Sequence, residues 1–317
     1  MTTVEDASEL SRRDAWVIAA RPQTLPAAVS PVLVGTGLAV HDDRLALLPA
    51  LAALVGAVLI QVGTNFANDY YDAVNGADTE AREGFTRVTA GGLIEPRSVK
   101  RAMWLTFAAA VAVGVYLVAV GGVPIVVIGL LSVASGVAYT GGPYPLGYHG
   151  LGDLFVFVFF GLVAVAGTYY VQAAAVVGVG LATVVPPATT VPVAALVAAL
   201  PVAGVSTAIL VVNNVRDREE DAETGKRTLA VRFGYRLSRV EWTALVGMAY
   251  VVPAVFAADP RFGLPVAAPL ATLPLAAVVG RTVWTRTDGA ALNPALERTG
   301  KLLAAHSALF ALGLAVA

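Results

Sequence analysis

Hydrophobic positions along this chain fall into long uninterrupted runs, and polar positions gather in a few stretches between them. Apolar runs occupy roughly 16–40, 46–68, 102–121, 124–140, 153–175, 192–213, 240–257, 264–280 and 301–317. A helix needs about 20 mostly apolar residues to cross a bilayer. The pattern therefore predicts an all-α membrane protein, a nine-helix transmembrane bundle, with lipid as its main solvent. The segment 176–191 is apolar too, but Pro, Thr and Gly interrupt it, and it reads as an outer connection. Residues 1–15 hold Glu5, Asp6, Glu9, Arg12, Arg13 and Asp14 without the apolar stretch of a secretory signal. They read as a polar tail ahead of a single membrane domain, 16–317.

Charge placement tests that helix count. With the N-terminus in the cytoplasm and nine spans alternating, 19 of the 21 Lys and Arg residues fall on the inner side. Only Arg44 and Arg261 lie outside. Cytoplasmic loops of membrane proteins carry this excess of basic residues, whereas a miscount by one span scrambles it. Composition agrees: 57% of residues are hydrophobic and only 14% charged, against about 25% charged in a soluble domain. The net charge of −1 gives no global field toward nucleic acid. The absence of cysteine removes disulfides, thiolate metal sites and cysteine nucleophiles.

Two inner loops carry the candidate chemistry. One begins Asn68-Asp69-Tyr70-Tyr71-Asp72 and continues to Asp78; the other begins Asn213-Asn214-Val215-Arg216-Asp217 and continues to Asp221. Each follows an apolar helix, and in each an Asn precedes an Asp by four residues, which places both on one helix face. The motifs end the second and sixth predicted spans, which suggests an internal pseudo-repeat of the kind that builds sites between helical halves. Facing carboxylate clusters repel, and a hard divalent cation relieves that repulsion. Mg²⁺ takes oxygen ligands, commonly one or two carboxylates with phosphate oxygens and water. Arg82 and Arg87 follow the first motif, while Arg216, Arg218, Lys226 and Arg227 surround the second. Arg forks match phosphate oxygens, so the mixture suits a magnesium diphosphate better than a bare cation. The alternative is two solvated loops with capped helices, their cations serving only as positive-inside charge.

The first motif resembles the N-D-x-x-D signature of the UbiA superfamily of intramembrane prenyltransferases. It departs from the usual spacing: Gly76 stands four after Asp72, and the third acid is Asp78. That shifted form is similar to the branch acting on 1,4-dihydroxy-2-naphthoate in menaquinone biosynthesis. So are Gly225-Lys226-Arg227-Thr228-Leu229-Ala230-Val231-Arg232, Ala20-Arg21-Pro22, Tyr139-Thr140-Gly141-Gly142-Pro143, Gly150-Leu151-Gly152-Asp153 and Leu292-Asn293-Pro294. The resemblance implies a nine-helix UbiA-like fold in the cell membrane with an active site open to the cytoplasm. It also implies Mg²⁺, a polyprenyl diphosphate donor and a naphthoate acceptor that loses its carboxyl group. On that basis Asp72, Asp78, Asp217 and Asp221 are metal ligands, supported by Asn68 and Asn213, and Arg82, Lys226 and Arg227 are diphosphate clamps.

Several single residues stay open. Arg21 sits inside a nominal span, where charge is costly and usually faces a cavity; it pairs with the acceptor carboxylate or diphosphate, or snorkels to the border. Asp153 either helps deprotonate an acceptor hydroxyl or caps its helix. Phe66, Tyr70, Tyr139 and Phe160 either face a prenyl cation or pack the bundle. Two other readings remain: a relative using hydroxybenzoate, homogentisate, haem, chlorophyllide or a glycerol phosphate lipid, and a secondary transporter.

Overall fold

The computed structural model of the protein describes residues 11–75 and 88–317. Asp78, Arg82 and Arg87 lie outside the described residues. The described chain forms helices and their connections. Helix α1 spans Arg12–Ala20, α2 Leu25–His41, α3 Leu47–Val74, α4 Pro96–Gly121 and α5 Val123–Ala138. Helix α6 is the composite Gly152–Val177, α7 is Val193–Arg216, α8 the short Arg218–Glu223 and α9 Leu229–Ala258. A 3₁₀ segment, Leu264–Thr272, feeds α10, Leu273–Thr285, and α11 runs Gly289–Ala315. Among the described residues, seven helical stretches are long and apolar enough to cross a membrane; α5, with 16 residues, is shorter.

The helices outrun the hydrophobic runs at their polar ends. Helix α3 continues past Asn68 to Val74, and α9 begins with a short helical stretch at Leu229, breaks at Gly234 (φ 79°, ψ 176°) and then runs on to Ala258. Hydropathy marks where lipid begins, but the backbone ladder stops only where a cap or a left-handed residue breaks it. Ser11 and Asp14 form a reciprocal cap on α1. Arg21, at φ 52° and ψ 67°, ends that helix, and Pro22–Thr24 forms one 3₁₀ turn before α2 resumes. The expected break in the first span is thus present, with Arg21 at its centre. Between Gly178 and Pro192 only the 3₁₀ turn Ala188–Thr190 interrupts irregular chain.

Helix α7 is the hub. Of its most apolar window 72% is buried, against 17% for the peripheral α4. Ala195, Ala198, Ala199, Val202, Ala203, Val205 and Ala208 of α7 are all buried. Such small side chains let helix backbones approach where lipid supplies little driving force for association. Leu105, Val115, Leu130 and Val255 remain exposed on the outer helices, as a lipid-facing surface requires.

The tightest approach near the cavity described below is between α6 and α7. Residues Phe157–Val163 of α6 form a π-helical turn, and a Cβ on Gly161 there collides with Cα and Cβ of Ala203. Gly167, farther along α6, meets nothing closer than 3.8 Å. Gly161→Val is expected to force the two helices apart and cost about 1–3 kcal/mol. Thermal unfolding in detergent should show a clear fall in Tm for this variant. Gly167→Ala should hold or raise Tm, because alanine favours a helix over glycine by up to about 1 kcal/mol. Equal behaviour of the two variants contradicts the packing argument.

Candidate active site

Polar residues on α3 recur at Gln61, Asn65, Asn68 and Asp72, a spacing of four, three and four that keeps them on one face. On the opposite half, α7 presents Leu210, Asn213, Asn214 and Asp217, and α8 adds Asp221. All of these line one cavity of about 260 Å³, together with Arg21, Thr24, Tyr139, Thr140, Tyr148, Phe160, Arg216 and Lys226. The two Asn-led motifs thus share a single hollow.

Tyr148, in the connection between α5 and α6, ties the halves together. Its hydroxyl donates to Asp72 Oδ1 at 2.6 Å, and Lys226 Nζ stands 5.0 Å from its ring centre. Lys226 Nζ also lies 3.5 Å from Asp221 Oδ1. The Arg227 N–H donates to the Tyr148 carbonyl at 2.7 Å, and Thr140 Oγ1 donates to Asn68 Oδ1 at 3.0 Å. Each acid near the opening therefore has a donor or a cation within reach.

Arg216 is the main organiser on the α7 side. Its Nε donates to Asp217 Oδ1 at 2.5 Å and its Nη2 to Asp217 Oδ2 at 2.7 Å, a two-pronged ion pair. Nη2 also reaches Asn213 Oδ1, and Nη1 reaches Asn293 Oδ1 of α11, both at 2.8 Å. Asn213 Nδ2 donates to Asp217 Oδ2 at 3.2 Å. Arg216 is 8% exposed and Asp217 5%. A buried pair of this kind is costly to break, because either charge alone is stranded. Asp217 is thereby held in one orientation, toward the cavity.

Of the expected site residues, Arg21, Asn68, Asp72, Asn213, Asp217, Asp221 and Lys226 come together here. Arg227 does not line the cavity; it is exposed and contributes through its backbone. Asp153 is also absent from the wall. It lies in the first turn of α6, buried, where Leu151 holds the cap position, and its Oδ1 has no hydrogen-bond partner among the described residues. Asp69 points away from the cavity, toward Val88 and Thr89, whose backbone N–H groups and the Thr89 hydroxyl donate to it. Arg21 Nη2 stands 3.9 Å from Asp69 Oδ1. Among the aromatics, Tyr139 and Phe160 line the cavity. Phe66 packs edge-on to Trp16, and Tyr70 packs against Tyr71 and under Lys100.

Among the described residues, no three His, Asp or Glu side chains cluster closely enough to hold a metal ion by themselves. The donor set nevertheless suits Mg²⁺, which retains water and relies on few carboxylates when a phosphate completes its shell. Asp72, Asp217 and Asp221 supply hard oxygen donors at one opening.

Sequence reasoning had placed Arg216 near the motif without a task, and gave none to Gln61, Asn65, Asn214, Tyr148 or Asn293. A signal existed for the α3 pair: polar side chains at helical spacing inside an apolar span face a cavity more often than lipid. Tyr148 and Asn293 are set by contacts across the fold, and local sequence holds no trace of these.

Comparison with known proteins agrees with this geometry. Residues 28–303 match the UbiA prenyltransferase family. The chain is 38% identical to the 1,4-dihydroxy-2-naphthoate octaprenyltransferase of Mycobacterium tuberculosis, over 90% of this chain and 91% of that one. It is 36% identical to the Escherichia coli enzyme of the same name, over 96% of each chain. Among solved structures, an apo UbiA homolog from Aeropyrum pernix K1 superposes with a TM-score of 0.67 at 13% identity, covering 92% of this chain and 97% of that one. A UbiA homolog from Archaeoglobus fulgidus bound to DMAPP and Mg²⁺ gives 0.60 at 16% identity, covering 93% and 98%. With two Asn-led acidic motifs facing one cavity in an all-helical membrane fold, and a family match across most of its length, this chain belongs to the UbiA prenyltransferase family.

Proposed function

We propose that this protein transfers a polyprenyl group from its diphosphate to 1,4-dihydroxy-2-naphthoate, releasing diphosphate and CO₂. The observation that carries this reading is the placement of Asp72 on one half of the bundle and Asp217 and Asp221 on the other, around one cavity. The naphthoate enzymes it resembles over nearly their whole length support the choice of acceptor.

Asp72, Asp217 and Asp221, with Asn68 and Asn213, would hold Mg²⁺ with the diphosphate. Asp78 would join them as a further ligand, and Arg82 as a clamp, from the segment between Asn75 and Val88. Bound there, Mg²⁺ supplies charge neutralisation for a diphosphate leaving group. Lys226 adds a cation at the same opening, and the Tyr148 hydroxyl fixes Asp72. Arg227 and the loop beside it set the position of Tyr148 through the backbone. The allylic C–O bond breaks and its electron pair leaves with the diphosphate. The ring carbon that carries the carboxylate then forms the new C–C bond, and its C–CO₂ bond breaks, returning that electron pair to the ring with no further proton to move. Arg21, which lines the same cavity, would pair with the acceptor carboxylate. Val156, Phe160 and Leu210 form the apolar wall that keeps water from the allylic carbon. Asp153 lies outside the lining, beside Gly152, which packs against the Tyr139 hydroxyl, so a part in deprotonating an acceptor hydroxyl would have to run through an intervening group.

For topology we infer nine spans, the seven long apolar stretches joined by Val123–Ala138 and Gly289–Ala315, with the N-terminus and the acidic opening in the cytoplasm. The 19 basic residues that this arrangement puts inside support it. A transporter reading fits less well, since coupling sites lie near the midplane and these acids cluster at helix ends.

The direct test incubates purified protein with Mg²⁺, a labelled polyprenyl diphosphate and each candidate acceptor. A decarboxylated prenylnaphthoquinol is the expected product; turnover only with hydroxybenzoate or homogentisate moves the enzyme to another branch. Asp72→Asn and Asp217→Asn should each lower kcat by about 10²–10³, the usual effect of losing an electrostatic stabiliser. Chelation should abolish turnover, and added Mg²⁺ should restore it. Activity that survives chelation contradicts the metal reading. Arg216→Met should destabilise the fold by about 3–5 kcal/mol, because it strands Asp217 as a buried charge. Arg216→Met paired with Asp217→Asn should recover much of that loss in a thermal melt.

A further inference from the structure

The acidic cavity does not account for every charge carried by the spanning helices. Arg281 lies inside the apolar stretch Leu264–Thr285. On α10 it has Ala277 and Val278 one turn before it and Trp284 one turn after, all exposed. Residues three and four apart share a helix face, so Arg281 interrupts a stripe that otherwise meets lipid. Hydrocarbon solvates charge poorly, and a cation within a span usually faces a cavity or pairs with another group. Arg281 does neither. It does not line the acidic cavity, and its side chain makes no hydrogen bond or ion pair among the described residues.

Neighbouring contacts set its depth. Helix α9 leaves the acidic end of the bundle just after Lys226, and α10 returns to that end. Arg239 of α9 joins them: its Nε donates to the Val283 carbonyl at 2.9 Å and its Nη2 to the Arg286 carbonyl at 3.4 Å. The Trp284 indole N–H donates to Thr243 Oγ1 at 2.9 Å. Arg281, three residues earlier on α10, is ~4.5 Å farther from the acidic end than Trp284. Tryptophan gathers at the border of the hydrocarbon, so Arg281 stands on the lipid side of that marker. Helical Cα–Cβ bonds tilt toward the N-terminus, which in α10 is the end away from the acids. That tilt opposes snorkelling back to the border. On α4 the order is the ordinary one, with Arg97 and Arg101 ahead of the exposed Trp104.

Two more arginines reach the same seam from α9. Arg236 is exposed, and its side chain has no partner among the described residues. Arg239 commits Nε and Nη2 to the α10 carbonyls and leaves Nη1 unspent. The nearby acids are engaged elsewhere. Glu219 accepts from Arg218 and from the Tyr235 hydroxyl, and Asp288 accepts from Arg286 and the Ala291 N–H. Glu241 is turned about 200° around α9 from Arg239. The seam therefore carries uncompensated positive charge beside the exposed apolar Leu237 and Val240.

We propose that the α9–α10 seam binds an anionic phospholipid of the leaflet at the acidic end. Arg281 and Arg239 hold its phosphate, Arg236 meets the rest of the head group, and the acyl chains lie along Val240 and Val278. Arginine matches phosphate oxygens, and basic pockets between spanning helices take anionic head groups. A lipid, rather than free phosphate, fits because Arg281 is approached along an apolar stripe. The site is separate from the acidic cavity and stands whichever acceptor the enzyme uses.

The test places the full chain in nanodiscs of equal phosphatidylglycerol and phosphatidylcholine with matched acyl chains, and native mass spectrometry counts the lipids retained. Wild type should retain phosphatidylglycerol in preference. Arg281→Gln should cut that preference about 5-fold, the effect of one basic residue at an anionic surface. Arg236→Gln should lower it as well, and Arg281→Lys should keep part of it. Arg281 bonds nothing in the fold, so Arg281→Gln should melt with the wild type in neutral detergent. The pair Arg97→Gln and Arg101→Gln removes two cations from the same end and should leave the preference intact. Phosphatidylglycerol added to detergent should raise the wild-type Tm, while inorganic phosphate should not. Three outcomes overturn the proposal. A wild type without preference has no site, an equal loss in the α4 variant means diffuse charge, and an equal Tm rise with inorganic phosphate means a free-phosphate site.

Discussion

Carboxylates brought to one cavity from two halves of an apolar bundle repel each other, and the surrounding structure is arranged to hold them there. Asp217 is neutralised by the fork of Arg216, Asp221 by Lys226, and Asp72 is fixed by the Tyr148 hydroxyl. Arg216 and Lys226 lie within five residues of their acids, but the other contacts come from distant parts of the chain. Tyr148 comes from the α5–α6 connection and Asn293, which steadies Arg216, from α11. Several chain segments must therefore be in register before the opening acquires its charge pattern. A bundle without that register would strand charge against lipid, where it is expensive. The same requirement explains why the hub helix, α7, is built of alanine and valine. Small side chains let the neighbouring helices close in and hold the register by packing.

Much of this was legible in the sequence because lipid imposes strict rules. The apolar runs and the inward bias of Lys and Arg identify a helical membrane domain, since little else satisfies backbone groups in hydrocarbon. The shared Asn–Asp spacing at residues 68–72 and 213–217 identifies the two halves of the site. What stayed hidden depends on contacts distant in sequence. Whether Asp69 or Asp72 faces the cavity is decided by Val88 and Thr89, which capture Asp69 from behind. The exposure of Arg227 beside the inward Lys226 follows from a backbone bond to Tyr148. The π turn at Phe157–Val163 coincides with the close passage of Gly161 over Ala203, a contact between helices that local sequence does not show.

The break at Arg21 shows how one irregular residue can serve two demands. A left-handed arginine is strained by about 1–3 kcal/mol, and the neighbours over-determine it. The Asn65 amide holds the Ala20 carbonyl, Thr24 holds the Arg21 carbonyl, and Pro22 begins the turn. Carbonyls freed by the broken helix are thus satisfied by side chains from α3 and from the turn itself, as membrane depth requires. The guanidinium is delivered to the cavity as a consequence. Local strain and a buried cation both become tolerable because each is met by the same short polar network.

That network also grades the cavity by depth. Charge dominates where Asp72, Asp217, Asp221 and Lys226 meet, neutral amides follow along α3 at Asn65 and Gln61, and Val156, Phe160 and Leu210 supply apolar wall. A diphosphate and an aromatic ring make opposite demands on solvent: one needs cations and water, the other a dry, oriented seat. Placing the two environments on successive turns of one helix lets them share a cavity without either substrate occupying the other's place. On the proposed function, leaving-group departure and ring attack share a single chamber, with the apolar wall beside the reacting carbon. The division depends on α3 remaining a continuous helix from Gln61 to Asp72, so that a rigid rise per residue, rather than a loop, sets the distance between the two events.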